Sequence, residues 1–481
     1  MITDLQPSSI QGNVLRGYRS NLRFVRYLML DITDRDAARR FLAAAASGGS
    51  VEVPAITTDE TWTGKPQSCF NVAFTFAGLR AVGVPAGALE TFPIEFIQGM
   101  TSRAVQLADV GESAPANWPA PFHEPDRIHV IASIYVSGET EGDAESILAQ
   151  VQEQVERAFS LLGVRNGEGF PGNKVHFGYV DSISQPRFRK EVGDIEPIDP
   201  LGTVLLGYPT RLEGLLFRVP EPNELGFNGT FNAFRILKQD VVGFENYLDQ
   251  AATEIIERLP GERLATLLAP GDDKRIVDVL LGSQGQRHSG RDDRFLALRE
   301  IVAAQMCGRW RNGAPLASCA NLPDASVSRT EFDYGAASTC PAGSHIRRAN
   351  PRGGPMVQRI ANYTRRLIRR GVPYGPPYDP TQPNDVERGL LGNFIGANLA
   401  GQFEAIMCDW LNLGLQDPDI TGSNDPLLGA NEPETSWFDL LLKDGTSLRL
   451  RGFPRFVITR GGAYTFIPSM DAIRYLAQLK N

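Results

Sequence analysis

The sequence predicts an α+β protein of two ferredoxin-like units, and three observations carry that expectation. Short apolar runs and amphipathic patterns alternate as strand, helix, strand, then strand, helix, strand in the first half, and a similar order returns in the second. The 481 residues are 42% hydrophobic and 22% charged, ordinary for a globular chain long enough to bury two cores. The 48 glycines and 33 prolines imply many turns and long loops between the elements.

In the first half, the runs at 24–32, 69–76, 128–136 and 175–180 read as strands. The stretch 34–46 opens on acidic residues and is rich in Ala, and 143–162 repeats apolar residues at helical spacing after an acidic start, so both read as helices. In the second half, strands are expected at 231–236, 390–397, 456–459 and 463–468, with helices at 241–258, 402–413 and 471–479. The acidic segment 191–202, which holds Pro197 and Pro200, marks the join and divides the chain into 1–195 and 196–481. Two polar stretches, 257–299 and 416–434, read as insertions over a cofactor or partner surface rather than as core.

Lys and Arg number 48 against 56 Asp and Glu, a net charge of −8. The basic footprint that nucleic acid or an anionic membrane surface requires is therefore missing. The first residues lack the basic flank and apolar run of an export signal, and no apolar run approaches the roughly 20 residues that span a bilayer. Five widely spaced cysteines, Cys69, Cys307, Cys319, Cys340 and Cys408, form no C-x-x-C pair. Reduced thiols and a cytoplasmic location are expected, with no membrane or nucleic-acid partner; self-association into a homo-oligomer is left open.

The chain has five histidines, His123, His129, His176, His288 and His345, and no two have the spacing of a zinc cage. A single histidine is still sufficient as an axial ligand to haem iron, because the porphyrin supplies four nitrogens. His345 stands in Cys340-Pro-Ala-Gly-Ser-His-Ile-Arg-Arg-Ala-Asn-Pro-Arg352, ahead of a strongly basic segment. Arg347, Arg348, Arg352, Arg359, Arg365, Arg366, Arg369 and Arg370 concentrate cations in an acidic chain, which suits an anionic ligand such as haem propionates or phosphate, or an acidic partner. Spacing alone favours a histidine satisfied on the surface or in the core beside a solvated basic face.

Ten ordered segments then resemble the dye-decolorizing peroxidase family over nearly the whole chain. They begin with Ile10-Gln-Gly-Asn-Val-Leu-Arg-Gly-Tyr18 and with His176-Phe-Gly-Tyr-Val-Asp-Ser-Ile-Ser-Gln-Pro186, which is similar to that family's G-x-x-D-G motif. Leu205-Leu-Gly-Tyr208, the stretch 228–240, Gly308-Arg-Trp-Arg-Asn-Gly-Ala-Pro-Leu316 and the segment around His345 follow. Arg369-Arg-Gly-Val-Pro-Tyr-Gly375, Glu387-Arg-Gly-Leu-Leu391, Gln402-Phe-Glu404 and Gly461-Gly-Ala-Tyr-Thr-Phe-Ile-Pro468 complete the series.

The resemblance implies two ferredoxin-like domains of the dimeric α+β barrel type, the first carrying the G-x-x-D motif and the second holding most of a haem b. It implies a peroxidase that reduces hydrogen peroxide with electrons from a dye-like or phenolic donor. The family's iron ligand falls on His345, its distal aspartate on Asp181 and its distal arginine on Arg369, with Arg347 and Arg369 as cofactor contacts. An acidic partner should fix the imidazole tautomer, and Glu404 and Asp409 are the candidates. Taken alone, Asp181 also reads as an Asx-type turn residue, and Arg369 as a solvated charge.

Two departures from the family pattern stand out. Ser182 replaces the usual glycine, which is strained if that position needs φ > 0. Gly392-Asn393 stands where bulkier apolar residues are usual near the haem, which would enlarge the distal pocket. Two other readings stay open on these residues: a haem-dependent biosynthetic oxidase or oxygenase, and a non-catalytic haem carrier, which would have no need of Asp181 and Arg369.

Overall fold

Strand β1 (Phe24–Asp31) is buried at every position but the last, so both of its faces are covered, as a continuous apolar run requires. It lies between β3 (Val130–Val136) and β4 (Ser160–Glu168), with β2 (Ser68–Phe74) on the far side of β3, all antiparallel. The connecting helices begin where the sequence supplies caps. Asp34 accepts from the amides of Asp36 and Ala37 ahead of Arg35–Ala46, and Thr140 forms a capping box with Asp143 ahead of Glu141–Glu156.

The second set repeats the plan with β5 (Thr230–Gln239), β6 (Ile368–Tyr374), β7 (Gly389–Gly396) and β10 (Val457–Ile467). A small hairpin of β8 (Trp437–Leu441) and β9 (Ser447–Arg451) stands apart. The eight-stranded order is β4-β1-β3-β2-β10-β5-β7-β6, so each group of four has the ferredoxin-like order of its own fourth, first, third and second strands. The groups meet where Phe74 of β2 pairs with Phe466 of β10. At the other end, a Cβ on Gly167 of β4 would lie 3.0 Å from the Pro373 carbonyl of β6. The sheet thus curls into a barrel, with a lumen crossed by hydrogen bonds from Asn393 to the Tyr27 hydroxyl at 2.8 Å and from Asn232 to Asn393 at 2.9 Å.

This computed structural model describes residues 5–138, 140–188, 198–282, 291–335, 339–352 and 363–480. The expected boundary at 195/196, His288 and Arg359 lie outside the described residues.

Four expectations are corrected. The helix read as 143–162 ends at Glu156, and its last residues belong to β4, because the free edge of β1 offers them a backbone ladder. The run 175–180 is a turn rather than a strand, closed by the Val175 amide on the Tyr179 carbonyl and bent at Gly178, with φ +85°. Within 257–299, read as polar insertion, the helix Asp293–Cys307 is buried from Phe295 onward and forms core with Val241–Arg258. Strand β6 was not foreseen, since Arg369, Arg370 and Pro373 obscure its alternation.

Candidate active site

His345 opens a short helix, His345–Ala349, whose preceding residue Ser344 is fully buried and donates to the Gln305 carbonyl at 2.5 Å. Arg348, 1% exposed, anchors this helix through the carbonyls of Gly343, Trp410 and Ser423. The imidazole Nδ1 lies 2.9 Å from Oδ2 of Asp425, a carboxylate with no solvent exposure. Burial alone would raise the Asp425 pKa, but the imidazole, the Arg348 guanidinium and the Leu428 amide together hold it below the usual carboxylate value. The carboxylate therefore accepts and the Nδ1–H donates, so Nε2 is the ring nitrogen left available to a ligand. Among the described residues Nε2 has no hydrogen-bond partner.

Asp425 corrects the expected tautomer partner. Glu404 is held by Arg103 and by the Tyr464 hydroxyl, the latter at 2.8 Å, and Asp409 by Arg365 at 2.8 Å, so neither reaches His345. The segment read as a polar insertion is organised around Asp425. Its Oδ1 accepts from the amides of Leu427 and Leu428, its amide donates to the Leu411 carbonyl, and its own carbonyl accepts from Asn431.

Asp181 follows the turn at 173–180, with its amide on the Asn173 carbonyl at 2.9 Å. His176 ties that turn to β6, its Nε2 lying 2.8 Å from the Tyr374 carbonyl; burial lowers its pKa to about 4, so the ring is neutral and donates. The next residue, Ser182, has φ +62°, the left-handed conformation that the glycine of the motif would adopt freely. Asp181 Oδ2 is 3.5 Å from the position a Cβ on Gly371 would occupy, which places it against the face of β6 that also carries Arg369. Gly371 pairs with Gly392, but the Phe394 ring lies over Gly392, 2.8 Å from where its Cβ would stand, so the expected enlargement is not seen there. Asn393 does the opposite of what was expected and points into the barrel lumen.

Arg369 donates through Nη2 to the Ser184 carbonyl at 2.7 Å, and its backbone exchanges hydrogen bonds with the Gln185 side chain. The Asp181 carboxylate is met instead by Arg19, a residue that sequence reasoning missed, at 3.3 Å. Arg309 donates to the carbonyls of Gly313 and Arg329; burial lowers its pKa to about 10, and the positive charges of Arg352 and Arg369 add to that. Among the described residues neither Arg309 nor Arg369 has a carboxylate partner. Arg347 sits two residues beyond His345, on another side of the helix, and its Nη1 donates to the Cys340 carbonyl at 2.5 Å. The structure thus does not bring Arg347 to the open nitrogen of His345.

An imidazole backed by a buried carboxylate, with its other nitrogen open, fits an axial ligand of haem.

The chain is also similar to known proteins. A sequence profile described as the DyP dimeric alpha+beta barrel domain matches residues 9–168. The dye-decolorizing peroxidase msp1 of Mycetinis scorodonius is 26% identical over 504 positions, covering 98% of this chain and 87% of that protein. The multifunctional dye peroxidase DyP2 of an Amycolatopsis species is 25% identical, covering 99% and 96%. The fold of a DyP-type peroxidase from Auricularia auricula-judae superposes with a TM-score of 0.76 at 22% identity, covering 99% of this chain and all of that one. With its βαββαβ halves closed into one barrel, the chain carries a DyP dimeric alpha+beta barrel domain over residues 9–168 and is similar along nearly its whole length to dye-decolorizing peroxidases.

Proposed function

We propose that the protein is a haem b peroxidase that reduces hydrogen peroxide with electrons from a dye-like or phenolic donor. The observation that carries this reading is the Asp425–His345 pair, which leaves Nε2 open for iron. When bound, haem would supply the two electrons that cleave the peroxide O–O bond, and two one-electron donors would give those electrons back. Asp425 fixes the imidazole orientation and strengthens its basicity. Asp181 takes the proton of one peroxide oxygen and delivers it to the other, which leaves as water. Arg369 stays protonated and stabilises the negative charge that develops on the departing oxygen.

Mixing haem-loaded protein with hydrogen peroxide in a stopped-flow spectrometer tests this. The Soret band should change rapidly and recover when a phenolic donor is added. Arg369→Leu should slow the change by about 10² to 10³, as loss of one charge-stabilising donor does. A Soret band indifferent to peroxide would leave a haem carrier as the better account. All five cysteines are unbridged, which supports a cytoplasmic location; fractionation of cells checks it.

A further inference from the structure

Arg19 lies ahead of β1, in the half of the chain that does not supply His345 or Arg369. Its side chain is 8% exposed and it donates to three segments at once. Nη1 reaches Asp181 Oδ2 at 3.3 Å and the Gly371 carbonyl of β6 at 3.1 Å, while Nη2 reaches the Lys174 carbonyl at 2.6 Å. Two of these acceptors are neutral, so Asp181 is the partner that its charge selects.

The need for such a contact follows from the local chain. Ser182 holds the main chain at φ +62°, but the Asp181 side chain is 32% exposed, and the strand position it faces on β6 is Gly371, which has no side chain to pack against it. Packing therefore does not set where its carboxylate sits. Arg369, on the same face of β6, sends its Nη2 to Ser184 instead. Among the described residues, Arg19 is the donor that reaches that carboxylate.

We propose that Arg19 is the positioning residue of the distal site: it holds the Asp181 carboxylate against β6, and so fixes the N-terminal half's catalytic group beside the Arg369 and His345 that the C-terminal half supplies. This rests on the assignment of Asp181 as the proton carrier. Arginine suits the task because its fork reaches a carboxylate and two carbonyls at fixed angles and never loses its charge.

The test is a double-mutant cycle on haem-loaded protein, with the rate of reaction with hydrogen peroxide read by stopped flow, and a crystal structure of the R19Q holoenzyme. R19Q should keep the haem content of the wild type but react about tenfold to a hundredfold more slowly, the cost of a misplaced catalytic group. R19K, which keeps the charge, should recover most of that loss. In a D181N background, R19Q should slow the reaction by less than about twofold, because the group it positions is already disabled. The crystal structure should show the Asp181 carboxylate turned away from Gly371. An equal R19Q effect in both backgrounds, or an unmoved carboxylate, would overturn the inference and leave the Asp181 assignment standing. Wild-type rates in D181N alone would overturn that assignment and the inference together.

Discussion

The Nδ1–H of His345 donates to a carboxylate that has no access to water and also accepts two backbone amides. Its two oxygens are thus divided: Oδ2 serves the imidazole, and Oδ1 holds the loop that presents it. Asp425→Asn keeps the volume and removes the charge, so the imidazole becomes a weaker donor to iron and loses the partner that fixes its tautomer. Haem affinity should fall by about 10 to 100-fold. The reduction potential of the bound haem should rise, since less negative charge stands behind the ligand. Haem titration and spectroelectrochemistry measure both, and an unchanged affinity and potential would remove Asp425 from the site.

Short connecting elements place Asp181. The turn from Asn173 to Asp181 is closed by backbone hydrogen bonds at each end and pinned to β6 by the neutral ring of His176. That contact makes the turn sensitive to pH. In the unfolded chain His176 takes up its proton near pH 6.5, whereas in the folded protein burial holds the value at about 4. Between those values the unfolded state binds more protons, so this residue's contribution is full above about pH 6.5 and is lost as pH falls toward 4. The loss should amount to about 2 to 3 kcal/mol. Denaturant unfolding from pH 4 to 8 should show it, and His176→Gln, which keeps a donor but does not titrate, should flatten that slope. An identical slope in the variant would place the pH dependence elsewhere. On the other side of the site, the wide π-helical segments Leu399–Glu404 and Ile406–Asn412 end beside the 416–431 loop, and the Leu411 carbonyl receives the Asp425 amide.

Across the whole molecule, the two halves share one barrel through a narrow strand junction, so buried polar contacts add to their union. Asp109, from the N-terminal half, makes a two-pronged ion pair with Arg235 of β5 at 2.6 and 2.8 Å, and Thr459 of β10 donates to the same carboxylate. Both charges are at most 3% exposed. Asp109→Asn leaves the Arg235 guanidinium buried without a counter-charge, which should destabilise the protein by about 3 to 5 kcal/mol. A fall in denaturant midpoint together with easier proteolysis between the halves is the expected result; a loss under about 1 kcal/mol would show that water or a neighbour compensates Arg235. Among the described residues no helix is long and apolar enough to cross a membrane.

Local pattern was enough for much of this protein. Six of the eight barrel strands, all but β4 and β6, lie at or beside apolar runs that the sequence displays as strands, and the helix Val241–Arg258 was legible to the residue because Asp240 caps it and its apolar face repeats at helical spacing. His345, Asp181 and Arg369 were legible through the segments that resemble a family, each of which is continuous in sequence. What stayed hidden depended on partners far along the chain. Asp425 is 80 residues from His345, in a loop without periodicity, and Arg19 is 162 residues from Asp181. The strand at 160–168 looked like the end of a helix, since a short apolar run carries no label of its own until a neighbouring edge offers hydrogen bonds. Sequence alone therefore determined which elements form and which imidazole is available, because periodicity, caps and motifs are local. Only the tertiary structure decided which carboxylate backs that imidazole and which arginine holds Asp181, because a buried charge takes whatever counter-charge the fold delivers to it.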